Sequence, residues 1–222
     1  MDDGFSSRTL EFTAAPLRGC GTFRYGITMD LLLGTNNPGK IIEMGEALHG
    51  LPLTLLTPEH VNIQENPEET GTTFRENAHQ KATFYFERAE MPTLADDSGI
   101  IIEALKGELG IHTRRWGAGP DASDEEWIAH FLDRMKGEEN KKASFICSLA
   151  FIDASGKPHV FEGQCDGVIT EALEAEYLPG LPISACFKPL GYDKVFSALS
   201  LEQKNSTSHR GRALGEFGRF LQ

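Results

Sequence analysis

The chain has 222 residues, 40% of them apolar and 24% charged, the proportions of a globular protein large enough for one domain or two small lobes. Its formal net charge of −12 argues against a general affinity for nucleic acid, whose binding rests on neutralising phosphates. No stretch approaches the roughly 18 apolar residues of a membrane-spanning helix, and Cys20, Cys147, Cys165 and Cys186 form no C-x-x-C pair, which reads as reduced thiols in a cytoplasmic protein.

Residues 1–28 lack a long apolar run, so we expect an extension ahead of a domain spanning 29–222. Leu31–Leu33 reads as a strand entering Gly34-Thr-Asn-Asn-Pro-Gly-Lys40. Asn37 and Pro38 suit a helix start, and Ile41, Met44 and Leu48 form its apolar stripe up to Gly50. A strand, a tight turn and a helix start together make an anion site, with free backbone N–H groups and the charge of Lys40. The segment nearly spells a P-loop, but Ile41 stands where that motif needs a hydroxyl for magnesium.

A strand near 51–56 and an acidic loop, Gln64–Gly71, come next. Thr73-Phe-Arg-Glu76 reads as a capping box opening a helix with Phe74, Ala78, Ala82, Tyr85 and Ala89 on one face. Pro92–Ala95 is expected as a short strand ending at Asp96-Asp97-Ser98-Gly99. Ser123–Glu126 is a second capping box, and Ile128, Phe131, Leu132 and Met135 give its helix a buried stripe closed by Gly137. Residues 143–153 and 158–169 form a hairpin around Ala154-Ser-Gly156. Pro179–Pro189 is expected to break regular structure, and a helix from about Ser208 turns Leu214, Phe217 and Leu221 inward. Early alternation of helices and strands followed by a hairpin indicates a mixed α/β sheet.

Several groups carry chemistry. Strand alternation lets only one of Asp96 and Asp97 face a given cleft, where a carboxylate can hold magnesium and orient water; an Asx-turn has the same composition. One of Glu65, Glu68 and Glu69 can supply a second ligand, although acidic residues also suit a helix start. Lys81 either snorkels to solvent or points along the cleft at a phosphate. Ser208-His209-Arg210, with Lys204 upstream, can converge on a ligand only at a helix terminus, and Ser208 is equally a plain N-cap. Leu190-Gly-Tyr-Asp193 is either a pocket wall or a turn.

The order Thr35-x-Asn37-x-x-Lys40, Glu69-Thr-Gly-x-Thr73-Phe-x-Glu-Asn77, Ala95-Asp-Asp-Ser-Gly99, Gly191-Tyr-Asp193 and Ser208-His-Arg210 resembles the inosine triphosphate pyrophosphatase (Ham1) family over residues 29–222. Gly110–Gly117 resembles that family's loop after the aspartate motif. The resemblance implies an elongated mixed sheet flanked by helices, with two lobes around a deep cleft, and a homodimer. It implies magnesium-dependent hydrolysis of ITP, dITP and XTP to the monophosphate and pyrophosphate. By motif position it implies Asp97 as proton acceptor and metal ligand and Glu69 as second metal ligand. Thr35, Asn36, Asn37 and Lys40 would grip the phosphates, with Lys81 and Ser98 in the same cleft. Lys204, His209 and Arg210 would contact the nucleotide, and Leu190, Gly191, Tyr192 and Asp193 would wall the base.

Leu190 stands where the family usually has a stacking Phe, and Lys194 where it has Pro, so base affinity or preference is expected to differ. The alternatives are a pyrophosphatase for other modified nucleotides, whose Ser-x-Ser-x-x-Arg opening is absent, and a non-catalytic nucleotide-binding module.

Overall fold

The computed structural model describes residues 28–119 and 121–222; the expected extension lies almost wholly outside them. Among the described residues, six strands form one sheet in the order β2-β1-β3-β4-β5-β6. They are β1 (Met29–Leu33), β2 (Leu53–Leu56), β3 (Thr93–Ile102), β4 (Lys142–Ile152), β5 (Pro158–Ile169) and β6 (Phe187–Pro189). β1 runs parallel to β2 and β3, whereas β3 to β6 pair antiparallel, giving the mixed α/β sheet read from the sequence. The helices are α1 (Pro38–Ala47), α2 (Phe74–Ala89), α3 (Asp124–Met135), α4 (Leu201–Thr207) and α5 (His209–Phe220).

Strand alternation divides the core between the faces of the sheet. Leu94, Cys147, Leu149 and Phe151 pack with Met44 of α1 and with Leu214 and Phe217 of α5. Their neighbours Ala95, Ala150 and Ile152 pack with Ala78 and Ala82 of α2. A further cluster gathers Ile100, Phe145, Phe187 and Phe196 around Trp127, Ile128 and Phe131 of α3.

The expected short strand before Asp96 is corrected. β3 continues through Asp96-Asp97-Ser98-Gly99 and pairs with β4 along its whole length. Two adjacent aspartates read as a stop signal, but basic groups on each face compensate their burial, so the strand continues. β1, by contrast, stops pairing at Leu33, opposite Leu94. From Ala95 onward one edge of β3 is therefore open, and the site forms there, where neighbouring strands part. Gly99 is required by a close approach: a Cβ there would stand 2.3 Å from the Gly110 carbonyl oxygen.

Three smaller differences are local. Thr73 caps α2 as expected, accepting from Glu76 N, but the Glu76 carboxylate accepts from Thr72 N–H rather than closing a box on Thr73. The Pro179–Pro189 region contains a helical turn at Pro182–Ala185 and the strand β6. Helix α4, opened by a reciprocal Ser200–Gln203 box, precedes the expected final helix.

Candidate active site

A cavity of about 420 Å³ opens beside the free edge of β3. Its walls come from the β1–α1 turn, the acidic loop, α2, β3, the loop after β3, α3, β4, the Gly180–Ser184 segment and the start of α5. Of the residues singled out from the sequence, Thr35, Asn36, Asn37, Lys40, Glu69, Lys81, Asp97, Ser98, His209 and Arg210 line it.

The two aspartates take different partners because strand alternation sends them to opposite faces. Asp96 lies on the face covered by α1 and α5. Lys40 Nζ is 3.0 Å from its Oδ1, and Arg210 donates to its Oδ2 through Nη2 at 2.9 Å. Burial would raise the Asp96 pKa, but Lys40 and Arg210 outweigh it and hold the carboxyl far below its usual range. Asp97 lies on the α2 face, where Lys81 Nζ donates to its Oδ1 at 3.0 Å and Asn77 Nδ2 to its Oδ2 at 3.2 Å. Its pKa is raised, burial prevailing over the attraction of Lys81 and Lys40. Asp97 borders the cavity, while Asp96 is fully buried behind the cations.

Lys81 also reaches Glu69 Oε1 at 2.5 Å, so one ammonium joins the two carboxylates expected to hold a metal. Burial works to lower the Lys81 pKa; Asp97, Asp96 and Glu69 together raise it, and the side chain stays charged. Asn77, absent from the expected site, binds Asp97 and also accepts from Gly71 N–H through Oδ1 at 2.9 Å, tying the end of the acidic loop to α2. Among the described residues no group of three or more His, Cys, Asp or Glu side chains converges as a metal site. A cation here therefore needs oxygens from a ligand beyond the two carboxylates.

The β1–α1 turn differs from the expected anion nest. Gly39 N–H donates to the Pro179 carbonyl at 3.1 Å, and Lys40 N–H to Asn37 Oδ1 at 3.0 Å. Asn37 Nδ2 donates to the Gly180 carbonyl at 3.1 Å. The start of α1 thus binds its own cap and the opposite wall, leaving the Lys40 side chain as this segment's principal charge toward an anion.

Arg210 is 2% exposed at the first turn of α5, which Ser208 caps by accepting from Gly211 N–H. Besides Asp96, the guanidinium donates to Ser98 Oγ at 2.8 Å and to Glu43 Oε2. Glu43 was not foreseen, although it lies three residues beyond Lys40 on the same face of α1. Glu43 Oε1 also pairs with Lys204 Nζ at 2.5 Å, so Lys204 reaches the site through Glu43 rather than as a wall residue. His209 lies parallel to Phe145 with centroids 4.6 Å apart; burial and then Arg210 drive its pKa well below the usual value, and the ring is neutral at physiological pH.

None of the four residues of the expected base wall, Leu190-Gly-Tyr-Asp193, is among those lining the cavity. Leu190 is 67% exposed just beyond β6, and the Tyr192 hydroxyl accepts from Thr207. Gly191 adopts φ +86°, which turns this segment toward solvent. The rings facing the cavity are instead Phe145, Phe196, Trp127 and Tyr85. Trp127 adjoins the α3 stripe and Phe145 sits on β4, positions that carry no motif.

Fold and cavity together are those of an α/β protein suited to a flat, anionic ligand. Residues 31–220 match the model of the Ham1 family. The dITP/XTP pyrophosphatase of Leptospira interrogans is 41% identical over 192 residues, 86% of this chain and 96% of that protein. That of Thermus thermophilus is 40% identical over 189 residues, 84% and 88% of the two chains. The solved HAM1 protein of Coxiella burnetii superimposes with a TM-score of 0.74 at 30% identity, covering 87% of this chain and 98% of that one. The chain belongs to the Ham1 family.

Proposed function

We propose that this protein hydrolyses non-canonical purine nucleoside triphosphates, ITP, dITP and XTP, to the monophosphate and pyrophosphate. The observation that carries the reading is the meeting of Glu69 and Asp97 on one cationic centre, across a cavity whose other charges include Lys40 and Arg210. The dITP/XTP pyrophosphatase relatives support the choice of substrate.

Two hard carboxylates completed by phosphate oxygens suit magnesium, and here both reach a single positive charge within 3.0 Å. Glu69 and Asp97 would hold the ion, which would supply charge stabilisation to the phosphates. Asp97 orients water and takes its proton. Asn77 and Lys81 fix the orientation of that carboxylate. Lys40 faces the phosphates with Thr35, Asn36 and Ser98, while Asn37 sets the helix from which Lys40 projects. Arg210 and neutral His209 stand toward the base, backed by Glu43 and Lys204.

The reading carries a homodimer in the cytoplasm with no membrane attachment and no nucleic-acid polymer as partner. Cys147, Cys165 and Cys186 are free thiols, in keeping with a reducing compartment, and none of the described helices is long and apolar enough to cross a membrane. Steady-state kinetics with magnesium on ITP, XTP, ATP and modified pyrimidine triphosphates test the substrate class. The inosine and xanthine nucleotides are expected to lead in kcat/KM; a preference for ATP or for a pyrimidine would overturn it.

A further inference from the structure

Trp127 is 2% exposed and lines the cavity, yet its indole Nε1–H finds no acceptor among the described residues. Indole nitrogen only donates, and a buried donor without a partner is destabilising, so the vacancy calls for an explanation. The ring is firmly placed: it stacks on Phe131 with centroids 5.4 Å apart and planes 10° from parallel, and Trp116 meets it edge-on at 6.3 Å. His209 lines the same cavity, and its Nδ1 is likewise buried without a partner among the described residues. Phe145 and Phe196 border the cavity with them.

We propose that Trp127 is a specificity-determining residue whose Nε1–H donates to a carbonyl oxygen of the bound purine. The inference rests on the nucleotide reading above and names a residue through which the base is read. An aromatic-bordered cavity accepts any flat base, so its polar atoms must discriminate. A fixed donor rewards a keto oxygen and gains nothing from a ring carbon that bears only hydrogen. His209, neutral by burial, supplies the second polar contact.

The test is Trp127→Phe, which keeps a ring for stacking on Phe131 and removes the N–H; the smaller ring also loses packing, a loss that falls on every nucleotide alike. Its kcat/KM is measured for ITP, XTP and purine riboside triphosphate, which lacks any carbonyl on the base. ITP and XTP are expected to fall about tenfold and purine riboside triphosphate to stay within about twofold, the loss of one hydrogen bond. An equal loss on all three, or no loss on any, would overturn the proposal by making Trp127 a packing residue only.

A binding readout is independent of turnover. The chain has two tryptophans, so Trp116→Phe leaves Trp127 as the sole reporter. Titration with inosine monophosphate is expected to change its emission, and purine riboside monophosphate to change it less. Identical responses to the two nucleotides, or none, would also overturn the proposal. If the wild type cleaves no triphosphate, the functional reading fails on its own, and the monophosphate titrations still decide the role of Trp127.

Discussion

Lys81 Nζ lies 3.0 Å from Asp97 Oδ1 while also meeting Glu69 at 2.5 Å, so a single ammonium holds together two carboxylates from separate segments. Replacing Lys81 by Met leaves the buried Asp97 beside Glu69 with no cation between them. Breaking a buried pair in this way is expected to destabilise the ligand-free protein by roughly 3 kcal/mol. Millimolar magnesium should restore much of that loss by taking the same carboxylates. Melting curves with and without the ion check this: the magnesium-induced rise in Tm should be larger in Lys81→Met than in wild type, and an equal rise would contradict the shared-carboxylate geometry.

The adjacent aspartates should respond oppositely to neutralisation. Asp96 has a lowered pKa, so its contribution to stability is present above the unfolded value and is lost as pH falls through the folded one. Asp96→Asn strips Lys40 and the buried Arg210 of their shared anion and should cost roughly 3–5 kcal/mol in urea unfolding. Asp97 has a raised pKa, so it favours folding when protonated and that advantage disappears as pH rises through its folded value. Asp97→Asn should therefore stay within about 1 kcal/mol of wild type while losing turnover. A stability loss in Asp97→Asn as large as in Asp96→Asn would refute the division of roles.

His209 imposes a pH dependence of known sign. Its folded pKa lies below the ordinary 6.5, so the folded chain resists protonation that the unfolded chain accepts. Stability is complete above about pH 6.5 and declines as pH falls below it, by at most about 1.4 kcal/mol per pH unit for one site. His209→Phe, beside Phe145 and Phe196, should flatten the profile between pH 6.5 and 5. Unfolding midpoints across that range in both proteins decide the matter, and parallel profiles would count against it.

Asn37 joins a helix cap to a wall contact through one amide. Asn37→Asp keeps the acceptor for Lys40 N–H but loses the donor to Gly180; Asn37→Ala loses both. The alanine variant should be less stable by about 1–2 kcal/mol, the aspartate variant by less. Equal losses in the two variants in chemical denaturation would show that the tether, not the cap, dominates.

Much of the fold was legible because its signals are local. The Ser123–Glu126 box, the 154–156 turn and the Thr73 cap each fixed an element within a few residues. The full length of β3 is not legible because Asp96 and Asp97 look like a turn; the cations that permit their burial come from Lys40, Lys81 and Arg210, distant in sequence. Ten of the cavity residues were legible, because every motif but Gly191-Tyr-Asp193 brings side chains to the open edge of β3 and Lys81 follows one of them along α2. The ring-lined end was not legible. Trp127, Phe145 and Phe196 belong to the hydrophobic core and to no motif, and the segment expected to wall the base begins at solvent-facing Leu190.

Product analysis on ITP with magnesium, run in parallel on wild type and Asp97→Asn, tests the central claim most directly. The wild type is expected to release inosine monophosphate and pyrophosphate, and the variant to do so at least about a hundredfold more slowly, the loss of a positioned general base. Inosine diphosphate with orthophosphate from the wild type, or an undiminished rate in the variant, would contradict it.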